Sequence, residues 1–375
     1  MNLAACARRA LVRMDLGART AAALPAPRPA TLIAIGKAAP VMAKAAFASW
    51  PIGEAVIVTN DATPVPAALE RHVLRASHPL PDRRSVRAAS RCLELAAEAD
   101  DLLVLVSGGA SALVCAPAGI DLATKRAVVK ALLLGGASIQ EMNVVRKHLS
   151  RIKGGALARA CRGRVLTLVA SDVIGGTTSD VASGPSVSDP STVREARRIL
   201  ARRAPAFRDL PLVRTGEAPG RAKIIASPEE LARALAAELA AIGIRPRLLP
   251  PSQADVVVLA ASYASAKLAP GEALVRAAEP AVTVTRKGKG GRSTHLATLV
   301  GRDLPPGYRF LAMASDGVDG TSETAGALVG TLPRAAADAA LAGFATGPFL
   351  ASLGVALPAR PTGHNLADLH VLFRE

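Results

Sequence analysis

Aromatic side chains are nearly absent from this chain: 375 residues hold 1 Trp, 2 Tyr and 6 Phe, or 2% in all. A surface that grips nucleic acid by stacking on bases therefore has little to work with. Cysteine is equally sparse. Cys6, Cys92, Cys115 and Cys161 lie far apart with no CxxC pair, the pattern of reduced, mostly buried thiols in a cytoplasmic protein. His72, His78, His148, His295, His364 and His370 make no HxxxH or HExxH, which argues against a zinc site. No GxSxG elbow is present for a serine hydrolase, and no GxGxxG follows a strand with a partner acid downstream, as a nicotinamide enzyme would need. The start MNLAACARRALVRMD lacks a long apolar run, so no secretory signal is expected. Only residues 102–120 are long and uncharged enough to suggest a membrane span. The Ser-Gly-Gly inside that stretch and Pro117 near its end indicate strand, turn and helix instead.

What is there is small, aliphatic and basic. Hydrophobic residues make up 50% of the chain, so the core must be built from Ala, Val, Leu and Ile, which suits helices laid on parallel strands. The length exceeds one compact core and predicts two domains of α/β size. Lys and Arg number 46 against 30 Asp and Glu, a formal charge of +16. The arginines recur along amphipathic helical patterns such as ARRALVRMDLGAR and REARRILARR, often with acids nearby, and no basic tail appears. Solvated helix faces explain this better than a nucleic-acid partner does.

Short β-branched runs alternate with helical stretches through the first half: TLIAIG, EAVIVT, DLLVLV and VLTLVAS read as strands. That alternation predicts a mostly parallel, doubly wound sheet with ligands at the carboxyl ends of its strands. A Pro- and Arg-rich section, residues 204–223, reads as a linker. A second α/β unit is expected beyond it, with KIIAS, the helix PEELARALAAELAAIG, and strands AVTVT (281–285) and YRFLAMAS (308–315).

Chemistry collects at four strand ends. Lys37 follows Gly36 at a strand-to-helix turn, where a cation opposes the helix dipole unless an anion joins it. Ser107, Gly108, Gly109 and Ser111 make a nest whose amides can approach phosphate oxygens. Asp172 ends VLTLVAS, and Asp316 and Asp319 follow YRFLAMAS; such acids can meet Mg²⁺, take a hydroxyl proton or cap a helix. The last loop lacks the closing glutamate of an EF-hand. Between these ends EMNVVRKHLSRIKGG (141–155) reads as one helix, with Asn143, Arg146, Lys147, Ser150 and Lys153 at steps of three or four. Such a stripe suits a small carboxylate or a phosphate, or is a solvated face. The stretch RKGKGGRSTHL (286–296) follows AVTVT and precedes an amphipathic helix, which places its cations at a strand end.

Taken together, IAIGKAAPVM, HPLPD, VSGGASALVCAP, NVVRKHLSRIKGGALA, ASDVIGG with ASGPSVSDPST, GKGGRSTHLA, ASDGVDGTSETAGA and PTGHNLADL resemble, in order, the glycerate 2-kinase family, whose C-terminal part is known as the MOFRL domain. The resemblance runs from about residue 30 almost to the C-terminus. It implies a Rossmann-like N-terminal domain over 1–218, a smaller α/β domain of MOFRL type over 219–375, and an active site in the cleft between them. It implies phosphorylation of D-glycerate on its 2-hydroxyl by ATP with Mg²⁺ or another divalent cation. An NAD(P)H-dependent hydroxypyruvate reductase and a kinase for a related hydroxy acid are the alternatives. The expected partners are these small molecules, with no nucleic acid, no membrane, and a homodimer left open. Carried onto this chain, the essential lysine falls on Lys37 and the essential arginine on Arg292. Phosphate binding falls on Ser107, Gly108, Gly109, Ser111, Gly290 and Gly291, and substrate binding on Asn143, Arg146 and Lys153. Asp172 and Asp316 are the metal candidates, and Lys287 and Lys289 are electrostatic support. The chain departs from the family where GGETTV is usual: it reads AAEPAV, keeping Glu279. Ser293 stands in place of Asn, and His364 in place of a small residue.

Overall fold

The aliphatic runs of the first half become strands of one sheet: β1 (Ala30–Ile35), β2 (Ile52–Asn60), β3 (Val73–Ala76), β4 (Asp101–Val106), β5 (Arg164–Ala170) and β6 (Arg221–Ala226). The structure is a computed structural model and describes residues 2–360, 362 and 366–375; His364 and most of the PTGHN stretch lie outside the described residues. The strand order is β3-β2-β1-β4-β5-β6, and β3–β2, β2–β1, β1–β4 and β4–β5 all pair in parallel. Parallel neighbours require crossovers, here by helices such as Ala39–Ser49 and Arg83–Glu98. The helix Arg83–Glu98 starts in a capping box between Asp82 and Ser85, a local signal in the sequence DRRS that contributes about 1 kcal/mol. Leu32, Ile33, Leu103 and Val104 are fully buried at the centre of the sheet. From β1 the chain winds outward to β2 and β3, then returns to β4 on the other side. The reversal between β1 and β4 opens a crevice at their carboxyl ends.

The second sheet is mixed. β7 (Arg245–Leu248), β8 (Glu272–Ala278), β9 (Tyr308–Met313), β10 (Thr324–Val329), β11 (Ala356–Pro358) and β12 (Asp368–Arg374) lie in the order β11-β10-β9-β12-β8-β7. β12 is inserted antiparallel between β8 and β9, and only β7–β8 is a parallel pair. The helices Val256–Ala264 and Arg292–Asp303 bury Val256, Leu259, Tyr263, Leu296 and Val300 against Phe310 and Leu372. Each such large apolar side chain contributes about 1.5–3 kcal/mol. No helix among the described residues is long and apolar enough to cross a membrane.

By compactness the chain divides into a first unit, Leu16–Ser171 with Gly176–Ile225, and a second, Met1–Asp15 with Asp172–Gly175 and Ala226–Glu375. This path differs from a single cut at 218/219. The helix Leu3–Arg13 belongs to the second unit, where Arg9 and Arg13 both pair with the buried Glu238 of the helix Pro228–Ala240. KIIAS, expected to open the second unit, instead supplies β6 at the edge of the first sheet, beside β5. AVTVT is not a strand. Pro280 cuts it off from β8, and after one bridge between Ala281 and Asp255 its residues run as loop, exposed except for the partly buried Val282. EMNVVRKHLSRIKGG is not one helix either: the helix Ile139–His148 stops at Leu149, Ser150 bridges to Pro117, and Gly154 and Gly155 turn the chain at φ +57° and +80°.

Candidate active site

At the reversal point the two central strand ends touch. Gly36 closes β1 at φ +133°, and a Cβ there would fall 2.1 Å from Ser107 Oγ, so only glycine permits the approach. The turns are then stitched together: Ser107 N donates to Ile35 O at 2.9 Å, Lys37 N to Gly108 O at 2.9 Å, and Ala38 N to Ser107 Oγ at 3.1 Å. Lys37 is thereby fixed on the Ser107–Ser111 turn. Among the described residues its ammonium has no acceptor and no ion-pair partner, and the amides of Gly108 and Gly109 donate to nothing. A free cation beside free amides is what a phosphate group requires. His78 closes the other side of this turn: a Cβ on Gly109 would sit 3.2 Å from its ring and 3.3 Å from Lys37 Cγ. Burial, helped by the charge of Lys37, lowers the His78 pKa and so disfavours its charged form. Nothing in the spacing of HPLPD points to this placement.

The helix Ile139–His148 approaches the same turn from the sequence side expected. Its N-terminus is set by a capping box between Ser138 and Glu141. Asn143 is buried and its Oδ1 accepts from Ser183 Oγ at 3.0 Å, while Ser183 Oγ lies 3.4 Å from Ser111 Oγ. Lys153, also buried, donates to Ala182 O at 2.9 Å, Ser111 Oγ at 3.1 Å and Ser111 O at 3.3 Å. Ala182 and Ser183 hold left-handed φ values of 57° and 59°, a strained conformation outside glycine that aims the Ala182 carbonyl at this ammonium. Burial, then the charges of Lys125 and Arg146, depress the Lys153 pKa to about 7. Burial lowers that of Arg146 as well, and its guanidinium makes no hydrogen bond or ion pair among the described residues. Lys147 leaves the stripe: it donates to Asp189 at 3.1 Å and Ser179 at 2.9 Å as part of a buried ion pair. Thus Asn143, Arg146, Lys153 and Ser111 come together, and Lys125 and Ser183, which the sequence reading passes over, join them.

In the second unit Arg292 opens the helix Arg292–Asp303. Its Nε and Nη2 bond Asp368 at 2.6 and 3.1 Å, and Nη2 also reaches Glu279 at 3.1 Å; Nη1 makes no hydrogen bond among the described residues. Burial pushes the Asp368 carboxyl up to about 7, against the pull of Arg292, whose own pKa the two carboxylates raise in spite of burial. Asp368 is the buried acid at the start of β12 and carries no sequence signal beyond being an acid at the edge of an apolar run. Asp319 is a cap: its two oxygens accept from Ser293 N at 2.9 Å and Thr294 N at 2.7 Å. The amides of Gly290 and Gly291, expected to face phosphate, donate instead to Thr321 Oγ1 at 3.3 Å and Thr294 Oγ1 at 2.9 Å. Because AVTVT is loop, Lys287 and Lys289 are exposed and lie well beyond the end of β8; Lys289 stands 3.7 Å from Glu323.

The metal candidates do not form a ligand set. Asp316 is exposed and its Oδ1 accepts from Val318 N at 3.0 Å, a tight local turn, while Asp172 is partly buried. Among the described residues no group of three or more His, Cys, Asp or Glu is gathered to hold an ion.

Residues 2–211 match a domain of unknown function, DUF4147, and residues 272–368 match the MOFRL family. A glycerate 2-kinase of Pyrococcus horikoshii is 32% identical over 331 residues, 80% of this chain and 75% of that protein. A D-glycerate 2-kinase of Thermotoga maritima is 31% identical over 334 residues, 80% of this chain and 78% of that protein. A protein of Agrobacterium vitis with a provisional hydroxypyruvate reductase label is 37% identical over 328 residues, 80% of this chain and 75% of its own length. In three dimensions the chain is similar to a crystal structure of glycerate kinase from Thermotoga maritima, with a TM-score of 0.88, 27% identity and coverage of 100% of this chain and 99% of that one.

Proposed function

The chain belongs to the glycerate 2-kinase family, and from that premise we propose that it transfers a phosphoryl group from ATP to the 2-hydroxyl of D-glycerate. The observation that carries the reading is the joining of Lys37 to the Ser107–Ser111 turn, with the Lys37 ammonium and two glycine amides free at the sheet's reversal point. Phosphoryl transfer demands little covalent help from a protein; it demands positioning and neutralisation of charge on the phosphoryl oxygens. We assign the phosphate-directed charge of the first unit to Lys37 and that of the second to Arg292. Arg292 is oriented in advance, because Asp368 and Glu279 hold its Nε and Nη2 edges and leave Nη1 free. Asn143, Arg146 and Lys153 are assigned to the glycerate. Magnesium, when bound, supplies further charge to the phosphates; among the described residues Asp172 and Asp316 belong to no cluster of three or more metal-ligating side chains, so either would meet the ion singly, beside the nucleotide's phosphates.

The reductase label of the Agrobacterium vitis relative is not favoured by any residue of this chain. No GxGxxG follows a strand, and the turn after β1 carries Lys37 instead. A coupled assay for ADP release across both glycerate enantiomers, with the product's phosphate position read by NMR, tests the proposal. Release that depends on D-glycerate and yields the 2-phosphate is expected. A folded sample that phosphorylates none of a panel of small hydroxy acids, or that oxidises NADH on addition of hydroxypyruvate, overturns it.

A further inference from the structure

Among the described residues, the first unit buries positive charge without a carboxylate to balance it. Lys125, on the helix Leu122–Leu134, is 4% exposed and Lys153 is 2% exposed. The charge of Lys125 acts on Lys153, and that of Arg146 acts on both. The groups facing this cluster are Cys115, from the segment after Ala110–Leu113, and the three cations themselves. Every bond the two lysines make goes to a neutral oxygen: Lys125 Nζ to Leu149 O at 2.7 Å, and Lys153 Nζ to Ala182 O, Ser111 O and Ser111 Oγ. No carboxylate among the described residues joins them. Asp189, whose Oδ2 lies 3.3 Å from where a Cβ on the neighbouring Gly154 would stand, is taken by Lys147 and by Ser191 Oγ at 2.7 Å. Buried charge left uncompensated is unfavourable by several kcal/mol per ion, so a cluster of this kind marks a place where a ligand supplies the missing charge.

We propose that Lys125, Arg146 and Lys153 form a preformed receptor for the carboxylate of the hydroxy-acid substrate, with Lys125 a positioning residue that acts through its charge and its hold on Leu149. This rests on the kinase reading given above. Lys153 directs its three protons at Ala182 and Ser111, so it contributes field more than contact. Arg146 is half-buried and unpartnered, and its planar fork matches a carboxylate. Phosphates have their own place at Lys37 and the free amides of Gly108 and Gly109. An anion in the receptor favours the charged form of both lysines, whose pKa values burial holds near 7 and 8. Binding therefore takes up protons above neutrality, and affinity falls as pH rises through that range.

The test is calorimetric binding of D-glycerate to the full chain without nucleotide, at pH 6.5 and 8.5 in buffers of different ionisation heat, for the wild type and Lys125→Met. The wild type is expected to bind about tenfold more weakly at pH 8.5, with net proton uptake. Lys125→Met removes a buried charge and keeps the side-chain length, so it is expected to bind D-glycerate about tenfold more weakly while melting no lower than the wild type. A variant that melts lower but binds D-glycerate as the wild type does would show a purely structural lysine and sink the proposal. Loss of affinity for ATP or inorganic phosphate, with D-glycerate unaffected, would give the receptor to phosphate and overturn the carboxylate assignment. If the variant does not fold, pH-independent binding by the wild type is enough to reject the proposal. Tight, pH-dependent binding without phosphoryl transfer would leave the receptor standing and remove the kinase reading instead.

Discussion

The two units treat their site cations in opposite ways. Arg292 sits between two acids, Asp368 and Glu279, whereas Lys125, Arg146 and Lys153 have none among the described residues. A guanidinium clamped by carboxylates has its direction set before any ligand arrives, and gives up much of its field to them. Cations packed without acids keep their field and lack a fixed partner. Orientation is thus built in at Arg292, and an unspent field at the acid-free cluster. Lys37 is the intermediate case, placed by its backbone and free at its tip.

The largest effects should come from removing the cations assigned above to phosphate. Lys37→Ala and Arg292→Ala are each expected to lower kcat/KM by roughly 10²–10³, the loss of about 2.7–4 kcal/mol that follows deletion of one preorganised donor. The contrast between the units predicts different rescue. Arg292→Lys should recover little, because an ammonium cannot bridge Asp368 and Glu279 and still present a free edge. Lys37→Arg should recover more, since no acid constrains that tip. Equal rescue at both positions in steady-state kinetics would erase the distinction.

Next in size is the loss of an acid. Asp368 is buried and Arg292 is 37% exposed, so breaking the pair by Asp368→Ala should cost about 2–3 kcal/mol of stability, below the range for a fully buried pair. Asp368→Asn keeps the shape and should spare most of that while lowering kcat with little change in the KM for glycerate. Chemical denaturation separates the two variants. An Asn variant with unchanged kcat would show that Arg292 does not need its orienting acid.

How much of this was legible in the sequence follows the range of the interactions. The strands β1, β2, β4 and β5 announce themselves because buried parallel strands are apolar runs, and Lys37 and the Ser107 turn stand out because glycines punctuate their ends. AVTVT has the same β-branched composition and yet is loop, since Pro280 separates it from β8 and the sheet's real neighbour of β8 is β12, some ninety residues on. Lys125 lies in TKRAVVK, where cations at helical spacing read as a solvated face. Its burial depends on which face meets Leu149, a contact the local pattern does not encode. Asp368 is silent for the same reason: its meaning comes from Arg292, 76 residues away.

The acid-free cluster should also be visible in stability against pH. The Lys153 pKa falls from 10.5 to about 7 on folding, so the penalty is fully present below about pH 7, where both states are charged. Above it the folded state releases a proton that the unfolded chain keeps, and stability rises with pH towards 10.5, by at most about 1.4 kcal/mol per pH unit. Lys153→Met should flatten that rise in urea titrations. Asp368 works in the other direction: its carboxyl is raised from 3.8 to about 7, so its contribution falls between those values as pH rises. A chain whose stability does not change between pH 7 and 9, and whose slope Lys153→Met leaves alone, would mean the first unit's charge is already balanced.

The smallest effect concerns the strained loop that serves Lys153. Ala182, at φ 57° and ψ 13°, holds a left-handed conformation that is unfavourable by about 1–2 kcal/mol for an L residue, and its carbonyl accepts from the ammonium at 2.9 Å. Ala182→Gly removes the strain and adds unfolded-chain entropy, so the net gain should be about 0.5–1 kcal/mol. Ser183→Gly relieves a similar strain but deletes the hydroxyl that bonds Asn143. Thermal melts should therefore show both variants at least as stable as the wild type, while the KM for glycerate rises for Ser183→Gly alone. A rise in both would mean that the strain itself, and not only the hydroxyl, sets the geometry of the receptor. In that case the first unit would share the preorganisation argued for Arg292, obtained from backbone conformation in place of acids.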